Sequence, residues 1–155
     1  MMRRILLETQ GEVSPVCSKS HITYKFHISE PGGKLCIHFA YGPKNLEDRE
    51  LSKTLVYESI EKYIEPSRRE LVQAKWESYL PLKNLITVSV DDPDSHRGAG
   101  HRHDPEQLLH LSMKDASPGL ISGPIHSGMW EVTLSLHAVV TDQCKFSLNI
   151  WQEEE

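Results

Sequence analysis

Alternation of apolar and polar positions recurs along most of the chain. Between residues 21 and 29, Ile22, Tyr24, Phe26 and Ile28 are set against Thr23, Lys25 and His27; between 34 and 41, Leu35, Ile37, Phe39 and Tyr41 repeat the spacing. A period of two marks a strand with one buried face. The turn residues Glu30, Pro31, Gly32 and Gly33 separate the two runs, so an antiparallel hairpin is expected there. Further strands are expected over 84–91 (Ile86, Val88, Val90), 107–113 (Leu109, Leu111, Met113), 129–140 and 143–151 (Phe146, Leu148, Ile150). Residues 3–9 read as a first strand or an arm. Glu8, Gln10, Gly11 and Glu12 suggest a turn, and Pro15 confines any strand over 13–17 to an edge.

The period changes after Gly42-Pro43. From 48 to 79, Leu51, Leu55, Val56, Ile60, Tyr63 and Ile64 lie three to five apart, as on one face of a helix. Pro66 suits the first turn of a second helix carrying Leu71, Val72, Trp76, Tyr79 and Leu80, and Pro81 stops it. The chain centres on residues 116–137. Pro118-Gly119, Gly123-Pro124 and Gly128 write a defined loop, which then delivers Trp130, Val132, Leu134 and Leu136 into one face of a long strand. These elements predict a mainly β fold: an antiparallel two-sheet β-sandwich, jelly-roll-like, with an inserted helical hairpin. A single domain is expected over 1–155, with the insertion at 48–80.

Composition narrows the function classes. The 155 residues are 38% hydrophobic and 25% charged, which fits a soluble globular domain with a core of its own. No stretch has the ~18 apolar residues of a membrane span. Met1-Met2-Arg3-Arg4-Ile5-Leu6-Leu7-Glu8 is too short for a signal-peptide core, so a cytoplasmic location is expected. A net charge of −5 gives no general attraction to nucleic acid or acidic membranes. Cys17, Cys36 and Cys144 are three, widely spaced and without a Cys-x-x-Cys pair, which argues against a disulfide framework or a four-thiolate zinc site.

The sharpest candidate chemistry lies in the polar loop 91–104, where His96, His101 and His103 accompany Asp91, Asp92, Asp94 and Asp104. Imidazole and carboxylate groups at this spacing suit a divalent zinc or manganese ion, with His96, His101, His103 and Asp104 as candidate ligands. Arg97 and Arg102 lie inside the cluster and would repel a cation while pairing with the same aspartates. A loop pinned by Arg–Asp bonds, with no cofactor, is therefore the preferred expectation. The candidate ligand-binding set is Asp91, Asp92, Arg97, His101, Arg102, His103 and His126, the last from the neighbouring Gly-Pro-Ile-His-Ser-Gly loop. His27, His38 and His137 fall opposite the apolar residues of their strands and belong to outer faces. No Gly-x-Ser-x-Gly elbow and no phosphate loop is present. Trp130 and Trp151 are expected in packing roles.

Several of these residues also form a recognisable combination: Asp91-Asp92-Pro93, then Arg97-Gly98-Ala99-Gly100-His101-Arg102-His103, then Ala116-Ser117-Pro118-Gly119, Gly123-Pro124-Ile125 and Gly128-Met129-Trp130. The combination resembles the N-terminal β-sandwich domain that precedes the catalytic barrel in PHP-type (polymerase and histidinol phosphatase) metal-dependent phosphoesterases. It covers most of the chain except the helical insertion. In that family the metals sit in the barrel, and the 155 residues end with the sandwich. The resemblance therefore implies an accessory module and does not carry over hydrolase activity. The expected function is a non-catalytic module that binds a protein partner or a small polar ligand at the end loops, with self-association through Trp76 and Tyr79 as a further partner mode. The alternative is a small metal-dependent hydrolase centred on His96, His101 and His103, with Asp91 or Asp104 as base.

Overall fold

A computed structural model describes residues 3–100 and 103–155. Eight strands form two four-stranded antiparallel sheets. The strands are β1 (Arg4–Val13), β2 (Ser20–Ile28), β3 (Lys34–Gly42), β4 (Leu85–Asp91), β5 (His96–Ala99), β6 (Glu106–Ser112), β7 (Gly128–Ala138) and β8 (Cys144–Glu153). Sheet A has the order β1-β8-β3-β6 and sheet B the order β2-β7-β4-β5. The pairs β1·β8, β2·β7, β3·β6 and β4·β5 are nested, as if one long antiparallel ribbon had been rolled up. That is the jelly-roll connection, a solution that lets two sheets share a single core.

The core lies between the sheets. Ile37, Phe39, Leu148 and Ile150 of sheet A meet Val88, Trp130, Val132 and Leu134 of sheet B, and all eight are fully buried. The hairpin expected between β2 and β3 does not form: β2 pairs with β7, and β3 with β6 and β8. Alternation specifies which face of a strand is buried. It does not specify the partner, and two strands facing one core from opposite sheets carry the same pattern. Nor does the expected turn at Gly11 form, since β1 runs through to Val13. Gly11 lies opposite Phe146, and a Cβ there would come within 2.6 Å of the ring, so the glycine makes room for the aromatic.

The insertion leaves the sandwich on a short stalk in which Asn45 bridges Lys83. Fully buried Asn84 ties its base together. Its amide donates to the Pro43 carbonyl and the Thr141 hydroxyl, both at 2.8 Å, and its side-chain oxygen accepts from the Val140 amide at 2.7 Å. Helix α1 (Arg49–Tyr63) starts where the Asp48 side chain accepts from the Leu51 amide at 3.0 Å, and it buries Ser52, Val56 and Ile60, each a turn apart. The expected second helix is broken into a 3₁₀ turn (Pro66–Arg68), a five-residue α2 (Arg69–Gln73) and another 3₁₀ turn (Trp76–Tyr79). Leu71 of the expected stripe is exposed, and a short helix without a packed face has little to hold it together. No helix among the described residues is long and apolar enough to cross a membrane.

Candidate functional site

Residues 91–100 are more ordered than a polar loop. Within them, β5 pairs with β4 through Ser89–Ala99 and Asp91–His96. The Asp92 carboxylate accepts from the Asp94 and Ser95 amides at 2.7 and 2.6 Å, which turns the chain back into β5. β5 is in turn clamped by the glycine-rich loop before β7. Ala99 N–H donates to Gly119 at 3.1 Å, and Ile121 N–H donates to Arg97 at 2.9 Å. Gly98 and Gly119 both have positive φ, and a Cβ on either would collide with the backbone of the other strand. Gly98→Ala is therefore expected to destabilise the domain by roughly 1–3 kcal/mol; a midpoint equal to wild type in thermal unfolding would contradict this packing.

Arg97 joins the two segments. Its Nε donates to the Ile121 carbonyl at 3.0 Å, and one terminal nitrogen donates to Asp92 at 3.0 Å and to the Pro124 carbonyl at 2.9 Å. The guanidinium lies 5.4 Å over the Trp130 ring. The Arg97 and Asp92 side chains are only 5% and 4% exposed. Burial pushes the Asp92 carboxyl pKa up, but the two backbone donors and the Arg97 guanidinium together outweigh it and hold the group below the usual carboxylate range. Trp130 is fully buried, and its indole N–H donates to the His126 carbonyl at 2.8 Å. Of the two arginines expected to pin this loop, Arg97 makes an Arg–Asp bond, to Asp92.

His96 turns to the outer face of sheet B and bonds Asp91 at 2.7 Å. His103, Asp104 and the His126 side chain are exposed. His101 and Arg102 lie outside the described residues. Among the described residues, no three His, Cys, Asp or Glu side chains are grouped to hold a metal ion.

An open site lies instead on the outer face of sheet A. Two adjacent cross-strand rows cross it, Glu8–Asn149–His38–Leu108 and Ile5–Trp151–Cys36–His110. They enclose a trough of about 450 Å³ lined by Arg3, Ile5, Glu8, His38, Leu108, Asn149 and Trp151. A register shift between Ile5 and Leu7 brings Ile5 onto this face. Leu108 is 67% exposed and Ile5 58%. The Arg3 guanidinium stacks 3.9 Å from the Trp151 ring centre, and the indole N–H donates to Glu153 at 3.0 Å. Burial pushes the adjacent Cys36 thiol up to about 11, so it remains protonated and unreactive at neutral pH. The sequence signal for this face is the apolar doublet. Leu108-Leu109, Ile150-Trp151 and Ile5-Leu6 each break the alternation, and in a pleated strand one member of such a pair must face outward.

No family model matches the chain, and no curated protein is similar to it. Among solved structures, the chain is similar to a crystal structure of a protein from Sulfurospirillum deleyianum, with 9% identity and a TM-score of 0.34 over 96% of this chain and 99% of that one.

Proposed function

We propose that this chain is a non-catalytic recognition module, of the accessory kind implied by the resemblance to the N-terminal domain of the PHP-type phosphoesterases, and that it takes a small polar ligand in the trough of sheet A. The carrying observation is the composition of that trough. The Trp151 indole, one face of which the Arg3 guanidinium covers, lines it together with the apolar Ile5 and Leu108, while Glu8, Asn149, His38 and Arg3 offer hydrogen bonds around them. This mixture suits a molecule with one apolar face and a rim of hydroxyls, such as a sugar ring. The end loops are less suited to the role, because Arg97 and Asp92 face each other below the surface.

A thermal-shift scan with simple sugars, phosphorylated metabolites and divalent metals tests the reading. A ligand present at 100 times its dissociation constant stabilises by about 2.7 kcal/mol, raising the midpoint by roughly 5–11 °C. The expected outcome is a shift with a sugar or sugar phosphate that is lost in Trp151→Ala. A shift with zinc or manganese that disappears in His101→Ala would instead favour a metal site in the 91–104 loop. A flat scan with a protein captured by wild type, and not by Trp151→Ala, would assign the trough to a protein partner.

A further inference from the structure

A second concavity, unlike the first, lies in the insertion. Val56 and Ile60 of α1 line it with Val72, Leu82 and Val140 in a mostly apolar concavity of about 430 Å³, to which Glu58 and Ser59 add the polar part. That is within the range of small-molecule sites. Leu55 to Ile64 follow the groove on one side. At 1.5 Å per helical residue this run covers about 14 Å. An extended carbon chain with bonds of about 1.5 Å covers the same length with roughly ten to twelve atoms.

One end of the groove is basic. Tyr63 is 64% exposed at the mouth, and the Lys19 ammonium donates to its hydroxyl at 3.3 Å. The Lys62 ammonium lies 5.4 Å from the same ring centre. The hydrogen bond from Lys19 first, and then the nearby Lys62 ammonium, hold the phenol below its ordinary pKa. Among the described residues, neither lysine has a carboxylate within ion-pair distance. The nearby helix end would repel an anion through its carbonyls, but Arg69 caps two of them, donating to Ile64 and Glu61 at 2.9 Å each. Lys19 is also the one non-glycine residue with positive φ among the described residues, at 65°. This conformation costs a lysine on the order of 1–2 kcal/mol and suits glycine or asparagine better. Keeping a lysine there places an ammonium on Tyr63, and strain of this kind is a pointer to function.

We infer that this groove binds a small apolar anion, an acyl-length hydrocarbon with one carboxylate, with the tail over Val56 and Ile60 and the head between Lys19 and Lys62. Decanoate, decanol and decyltrimethylammonium share a tail length and differ in head charge, so calorimetric titration of the full chain with each tests the assignment. Decanoate should bind one to one, and at least about tenfold more tightly than either of the others, a difference of about 1.4 kcal/mol. The K19E/K62E double variant should lose that preference and favour the cation. If K19E/K62E fails to fold, K19Q/K62Q should bind decanoate and decanol equally. Ile60→Trp, which fills the groove, should weaken all three. Equal affinity for the three heads in wild type, or no saturable binding of decanoate, would overturn the proposal. So would a stable dimer in light scattering that decanoate does not perturb and that Tyr63→Glu dissociates, since a second copy would then cover the groove.

Discussion

Trp130→Ala is expected to destabilise the domain by about 3–5 kcal/mol, lowering the thermal midpoint by roughly 6–20 °C at 2–4 °C per kcal/mol. The side chain has no exposed surface and is among the largest buried groups in the protein. It packs where the glycine-rich loop enters β7, so its removal opens a cavity between the sheets and not at a rim that water can fill. The indole N–H also holds the His126 carbonyl, and the ring lies under the Arg97 guanidinium. Trp130→Phe keeps most of the volume and leaves that carbonyl without its donor, so a smaller loss is expected. Calorimetry or chemical unfolding reads both. A midpoint for Trp130→Ala within a degree or two of wild type would show that Trp130 does not close the core.

A second large effect is expected at the buried ion pair. Asp92→Ala leaves the Arg97 guanidinium out of contact with solvent and without its carboxylate, a change that costs about 3–5 kcal/mol at comparable sites. The exposed counterpart serves as a control. His96 and Asp91 also form a 2.7 Å contact, but their side chains are 60% and 36% exposed, so Asp91→Ala should cost less than about 1 kcal/mol. The pH dependence has a definite sign. The Asp92 carboxyl pKa is depressed in the folded state, so its stabilising contribution is present above the unfolded value of about 3.9. That contribution is lost as pH falls through the lower, folded value. Stability measured from pH 6 downward should therefore decline less steeply below about pH 4 in Asp92→Asn than in wild type. Parallel curves would show that the pair does not contribute in this way.

Much of this architecture is legible in the sequence. The periods of two over 21–29, 34–41 and 129–140 correspond to β2, β3 and β7, and the apolar positions are the more buried ones as expected, save that Cys36 of β3 is buried as well. Strand pairing is not legible in the same way, because β2 and β3 carry one pattern for two different sheets. β5 escapes detection because the face of His96–Ala99 is buried by Arg97 and by backbone packed against two glycines, not by apolar side chains. The second half of the insertion has helical spacing, yet Leu71 finds no surface to cover and the segment tightens into 3₁₀ turns. For the candidate site, the histidines of 91–104 draw attention, but Asp92 and Arg97 are used to hold the end of the sandwich together. The trough of sheet A leaves a fainter trace. Apolar doublets are commonly absorbed at strand ends, and only the register of β1, β8, β3 and β6 puts Ile5, Trp151 and Leu108 on one surface.

The most direct measurement is a two-dimensional ¹H–¹⁵N NMR titration with a ligand that stabilises the protein in the thermal scan, following the three indole N–H resonances of Trp76, Trp130 and Trp151. The Trp151 resonance is expected to shift saturably together with the amides of Glu8, His38 and Asn149, while Trp130 and the amides of Asp92 and Arg97 stay in place. Saturable shifts centred on 91–104 and 116–128, with Trp151 unmoved, would place recognition at the end loops and contradict the assignment to sheet A.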